Sequence, residues 1–152
     1  MHPVFQKMNF KGQKPILLLQ APESFQSILE DMKTQTTFHT EPSAEQKYAF
    51  VLAFLYRQTD LAQVAKLVAG RLEDDCLLWL AYPKKSSKTY KTDLSRDMSW
   101  QAIGDLGFEG VRQIAIDTDW SALRFREARF IKTMKRKSLR AMSAEGKKRT
   151  GQ

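Results

Sequence analysis

Apolar residues along this chain fall into short unbroken runs separated by stripes spaced three and four apart, a pattern of strands alternating with amphipathic helices. The first run, Lys14-Pro-Ile-Leu-Leu-Leu-Gln-Ala-Pro22, is closed by prolines and predicts a strand of about six residues buried on both faces. Pro22 and Glu23 suit a first helical turn, and Phe25, Ile28, Leu29 and Met32 then share one face of a helix. Residues 36–40, rich in Thr and Phe, predict a second short strand before the turn residues Glu41-Pro-Ser43.

Residues 48–56 are apolar all round, which predicts a central strand. Thr59 or Asp60 then caps a helix in which Leu61, Val64, Ala65 and Val68 share a face, ended by a left-handed Gly70. A buried strand over 76–82 stops at Pro83, whose missing N–H cannot serve a ladder. Trp100, Ile103 and Leu106 mark a further helix ending at Gly107, with a strand over 111–116. After a turn at Asp117-Thr-Asp-Trp120, residues 121–125 are expected to return as an antiparallel edge strand. The succession predicts a single α/β domain with a mixed, mostly parallel sheet of about five to six strands and helices packed on it. The expected divisions are an N-terminal extension over 1–13, the α/β domain over 14–126 and a basic helical or disordered tail over 127–152.

Charge sharpens that division. The net charge of +8 is not spread along the 152 residues: positions 1–123 carry a net −1, and positions 124–152 a net +9. A concentrated basic segment attracts polyanions by counterion release. Arg129, Lys132, Lys135, Arg136, Lys137 and Arg140 are therefore candidate nucleic-acid contacts, with a solubilising tail as the plainer account. No run approaches the ~20 apolar residues of a membrane span. The polar N-terminus argues against a secretory signal, and the lone Cys76 precludes an internal disulfide, so a cytoplasmic location is expected.

Candidate chemistry in the body is sparse. Tyr82-Pro-Lys-Lys-Ser-Ser-Lys88 is a basic, hydroxyl-rich loop at the carboxyl end of a strand, where open α/β sheets place ligands. Lys84 and Lys85 suit a phosphate or carboxylate, and Ser86 and Ser87 supply hydroxyl donors. With no glycine between Arg71 and Ile103 the loop has no backbone phosphate cradle, and a solvated connection accounts for the same residues. In Asp93-Leu-Ser-Arg-Asp97, Arg96 could join that anion site, while Ser95 or Asp97 could simply cap the next helix. Asp117, Asp119 and Trp120 form the densest polar cluster, which reads as an acid–base or cation site or as a turn fixed by its own Asp. No nucleophile elbow is present, and His2 and His39 are far apart from each other and from Cys76, so neither a transition metal nor any other cofactor is expected.

Three segments carry a family resemblance: 16–22, a leucine-rich strand leading into Ala-Pro-Glu; Leu78-Trp-Leu-Ala-Tyr-Pro-Lys-Lys-Ser-Ser87; and Ile116-Asp-Thr-Asp-Trp-Ser-Ala-Leu-Arg124. Together they resemble the bacterial family called domain of unknown function 3052, over roughly residues 14–126. The resemblance implies a small bacterial cytoplasmic protein and carries over no catalytic or binding residue.

With no recognised catalytic motif, the main expectation is a non-catalytic binding module whose tail engages an anionic partner such as nucleic acid. The alternative is an enzyme or ligand-binding protein for a small anionic molecule, using the 82–97 loop and the 117–121 turn. A third possibility is a homo-oligomer formed through the last edge strand and Trp120.

Overall fold

The computed structural model describes residues 1–131; the candidate cations Lys132, Lys135, Arg136, Lys137 and Arg140 lie outside the described residues. The chain runs α1 (Pro3–Lys7), β1 (Ile16–Leu19), α2 (Gln26–Met32), β2 (Phe38–His39), β3 (Tyr48–Phe54), α3 (Thr59–Val68), β4 (Leu72–Pro83), α4 (Gln101–Gly104), β5 (Phe108–Ala115) and β6 (Trp120–Glu127). A 3₁₀ turn over Glu23–Phe25 leads into α2.

The six strands form one mixed sheet in the order β2-β1-β3-β4-β6-β5. β1 pairs in parallel with both β2 and β3, and β3 with β4. β6 runs antiparallel to β4 and to β5. The chain thus leaves β1 toward β2 on one side and returns to β3 on the other, which puts the topological switch point between β1 and β3.

The continuous apolar runs follow from this placement, because β1, β3 and β4 are covered on both faces. On one face Leu17, Val51, Ala53, Leu78 and Leu80 meet Leu61, Val64 and Val68 of α3 and Ile103 of α4. On the other, Ile16, Leu18, Phe50, Leu52, Phe54 and Trp79 meet Phe5 of α1 and Met32 of α2, with Phe25 from the turn before it. The segment read as an N-terminal extension therefore supplies core: Phe5 and Met8 are fully buried, and the Met8 carbonyl accepts the Trp79 indole N–H at 3.1 Å.

Two sequence expectations need correction here. The strand after the Asp117 turn is antiparallel but is not the edge. β6 buries Leu123 and Phe125 on one face and Trp120 and Ala122 on the other, so it suits an interior position; β5, with Val111, Arg112 and Gln113 exposed, forms the border. The helix caps also differ. Neither Thr59 nor Asp60 is the cap residue of α3, because both lie within it, and the Asp60 carboxylate turns back to accept the N–H groups of Tyr56 at 2.8 Å and Arg57 at 3.2 Å. α4 begins after Trp100 with no side-chain cap, so neither Ser95 nor Asp97 serves it. Gly70 and Gly107 do adopt the left-handed conformation expected of residues that end helices.

Cys76 is fully buried in β4, and burial, followed by Glu127 and Asp75, pushes its thiol far above the ordinary range. Only the thiolate reacts, so the native protein should resist a thiol-specific reagent at neutral pH and label fully in guanidinium. Rapid labelling of the native state would show that this part of β4 opens readily.

Candidate functional site

The parallel strands end together, and the segments that follow them are laced across the carboxyl edge of the sheet. Past β1, Gln20 takes a left-handed backbone conformation with φ 58°. Its carbonyl accepts the hydroxyl of Tyr56, two residues beyond β3, at 2.9 Å. Burial, then the charges of Tyr90 and Asp60, raise the Tyr56 phenol above its ordinary value and keep it a donor. This hydrogen bond spans the switch point.

The next link joins the start of α3 to the loop after β4. The Gln58 backbone N–H donates to the Asp93 carboxylate at 2.9 Å, and its side-chain amide donates to the Asp93 carbonyl at 2.6 Å. Farther along the edge, the loop after β4 meets the turn before β6. The Lys84 N–H donates to the Asp119 carbonyl at 2.8 Å. The Asp119 carboxylate in turn accepts the hydroxyls of Ser87 at 2.8 Å and Thr89 at 3.2 Å, one on each oxygen. Asp117 fixes its own turn, accepting the N–H groups of Asp119 at 2.8 Å and Trp120 at 2.9 Å.

This geometry sorts the candidate residues. Lys84, Lys85, Ser86, Ser87, Asp117, Asp119 and Trp120 belong to one corner, where the loop and the turn are stitched together. Arg96 stands apart. Its carbonyl accepts the Trp100 indole N–H at 3.1 Å, on the sheet face that carries α3 and α4. Asp117 and Asp119 spend their carboxylates on the turn and the loop, and among the described residues no group of three or more His, Cys, Asp or Glu could hold a metal ion. The cations behave differently: among the described residues Lys84, Lys85 and Lys88 have no ion pair, and Lys85 and Lys88 are exposed.

Trp120 is 1% exposed, packed edge-on against Phe54 and Tyr56 and tilted against Tyr90, with ring centroids 5.0–5.2 Å apart. An oligomer interface through this residue is thereby corrected, because no indole surface is left to dock. Its N–H has no hydrogen-bond partner among the described residues. Tyr56 and Tyr90 were invisible to motif reasoning: Tyr56 reads as the end of a strand and Tyr90 as one polar-loop residue among many. Tyr56 closes the apolar run over 48–56, whereas Tyr90, within a polar loop, carries no sequence signal of its place.

Of the tail cations only Arg129 is described. It donates to Glu127 at 3.0 Å and to Asp74 at 2.8 Å, which holds it to the body.

No family model matches the chain, and no curated protein is found similar to it. Solved structures are. Magnesium protoporphyrin IX methyltransferase (ChlM) from Synechocystis PCC 6803, solved with bound SAM, superposes with a TM-score of 0.51 at 14% identity, over 82% of this chain and 74% of that one. The glycopeptide N-methyltransferase MtfA gives a TM-score of 0.50 at 11% identity, over 79% of this chain and 91% of that one. The expectation of a non-catalytic binding module with a basic tail gives way to this finding, since the described body shares its fold with solved methyltransferases. No described helix is long and apolar enough to cross a membrane. The chain is a single α/β domain of the methyltransferase fold.

Proposed function

We propose that this chain takes a small anionic molecule at the carboxyl edge of its sheet, as an enzyme or ligand-binding protein of the methyltransferase fold. The observation that carries the reading is the corner at which the 82–97 loop and the 117–121 turn meet. There Lys84 and Lys85, free of ion pairs to described residues, stand on a backbone braced by Asp119. Open α/β sheets place ligands outside the carboxyl ends of their strands, and two unpaired ammonium groups there favour carboxylate or phosphate. Ser86 supplies an exposed hydroxyl beside them. Arg96, beside Trp100, is not part of this corner.

SAM, bound by one of the structural neighbours, is the natural cofactor to test against these residues. The crevice at the switch point does not fit it well. The turn after β1 is Gln20-Ala-Pro-Glu23, with no glycine to let a ligand approach the backbone. Pro22 offers no N–H, Glu23 adds a negative charge, and the Tyr56 hydroxyl already holds the Gln20 carbonyl. Glu41 does stand just past β2, about twenty residues beyond that turn, where a ribose hydroxyl would find an acceptor. One acceptor without a cradle supports no step through SAM.

The resemblance to domain of unknown function 3052 extends the proposal to that family, and the expected cytoplasmic location goes with it. Calorimetric titration of the full chain with citrate, glycerol phosphate and SAM tests the reading. Binding of a small anion weakened about tenfold or more by Lys84→Ala with Lys85→Ala is the expected result. Anion affinity unchanged by those substitutions overturns it, as does tight SAM binding indifferent to them, which would return the site to the crevice.

A further inference from the structure

The border of the sheet carries a second concentration of positive charge, away from the carboxyl edge. Arg124 in β6 is the direct cross-strand partner of Arg112 in β5, so the two side chains leave the same face. Across β4, Trp79 is the other partner of Arg124, which identifies this as the face that carries α1. Arg126, two residues on, leaves the same face again.

The neighbouring carboxylates are already engaged. Asp75, in a left-handed conformation where the β3–β4 register shifts, grips Arg126 through two bonds of 2.8 and 2.9 Å. Glu109 is buried opposite Arg126. Arg129 is held by Glu127 and Asp74. The indole N–H of Trp79 is taken by the Met8 carbonyl.

Arg124 is left short. Its Nε is buried and has no hydrogen-bond partner among the described residues. Burial, then the charge of Arg126, and after it that of Arg112, lower its pKa from the ordinary guanidinium value, against the pull of Asp75. Two like charges placed directly opposite on antiparallel strands repel, and a buried donor without an acceptor costs its lost hydration. A single oxyanion lying between the two guanidiniums removes both liabilities, supplying an acceptor for Nε and opposite charge for the pair.

We propose that Arg112 and Arg124 form a binding site for a phosphate group, free or carried by a small organic monoester, on the β5–β6 border of the sheet. Arg124 is the half-buried anchor, and Arg112, exposed on the outermost strand, is the solvent-side contact. The site is independent of the Lys84 and Lys85 corner.

The experiment is thermal unfolding of the full chain in phosphate-free buffer, with added inorganic phosphate, with added glycerol phosphate, and with sodium chloride at matched ionic strength. The wild-type midpoint should rise with phosphate beyond the chloride control, since a ligand that binds only the folded state stabilises it. Introduced into the Lys84→Ala, Lys85→Ala variant, so that the lysine corner contributes nothing, Arg124→Met should abolish the remaining rise and leave the protein at least as stable without phosphate, because it removes the repelling charge and the orphaned donor. Arg112→Gln should reduce the rise while leaving the fold intact, and Lys84→Ala with Lys85→Ala should retain it. A response to inorganic phosphate identifies the free ion as sufficient; a response confined to glycerol phosphate identifies the ester. No rise in wild type, no rise in the lysine variant, or a rise in the lysine variant that Arg124→Met leaves unchanged each overturn the assignment.

Discussion

Replacing Trp79 by alanine is expected to cost about 3–5 kcal/mol of stability, the range for deleting a fully buried large aromatic. Trp79 has no exposed surface and stands in β4 between Leu52 of β3 and Arg124 of β6, beneath α1. Domains of this size are typically stable by about 5–15 kcal/mol, so the loss is a large share of the margin. Trp79→Phe separates the two contributions, since it keeps an aromatic ring but removes the donor to the Met8 carbonyl. A buried acceptor left unpaired adds about 1–3 kcal/mol to the volume cost. Guanidinium denaturation reads both as shifts in midpoint at constant slope. A phenylalanine variant as stable as wild type would mean that α1 is not held to the sheet through this bond.

Trp120→Ala is expected to have an effect of the same order, about 3–5 kcal/mol, by opening a cavity among Phe54, Tyr56 and Tyr90. The phenylalanine variant should behave differently. The Trp120 N–H has no hydrogen-bond partner among the described residues, so Trp120→Phe removes an unsatisfied donor along with some volume. It should therefore be clearly milder than Trp79→Phe in the same denaturation series. The reverse order would show that the Trp120 N–H has a partner in solution, an ordered water being the simplest. The alanine variant also removes the aromatic wall beside the braced loop, so a loss of anion affinity at Lys84 and Lys85 should accompany it.

The elements that could be read in advance are those whose burial is recorded by composition alone. Residues 48–56 and 76–82 have no polar face, and a segment without a polar face belongs where both faces are covered. The α3 stripe of Leu61, Val64, Ala65 and Val68 and the glycine after it are likewise local properties. Strand order is not. Nothing in the spacing of Leu123 and Phe125 tells β6 that it will sit inside β5, because either position buries those residues on the same face. Asp60 reads as a cap from its place in the sequence, yet its carboxylate faces backwards to Tyr56 and Arg57.

The candidate site was half legible for the same reason. Each of its polar clusters stands out alone, and the bland reading of Asp117 as a turn-fixing residue is what the hydrogen bonds show. The stitching of Asp119 to Ser87 and Thr89 depends on pairing between Pro83 and Trp120, a register that no single segment encodes. The Arg112–Arg124 pair is hidden more deeply still, since two ordinary surface-type residues become neighbours only through the separate register of β5 on β6. The basic excess of residues 124–152 is the strongest charge feature of the sequence, and Arg124 and Arg126 within it belong to β6 of the body.

The insertion of β6 between β4 and β5 has a consequence for how the chain is made. Synthesis proceeds from the N-terminus, and when β5 leaves the ribosome the strand that must join it to the sheet has not yet been translated. Until then β4 presents an open ladder of N–H and C=O groups beside some of the most apolar residues of the molecule, and β5 has nothing to pair with. The nascent protein therefore passes through an interval in which its stickiest border is bare, and a chaperone or rapid translation of the 116–127 stretch shortens that exposure.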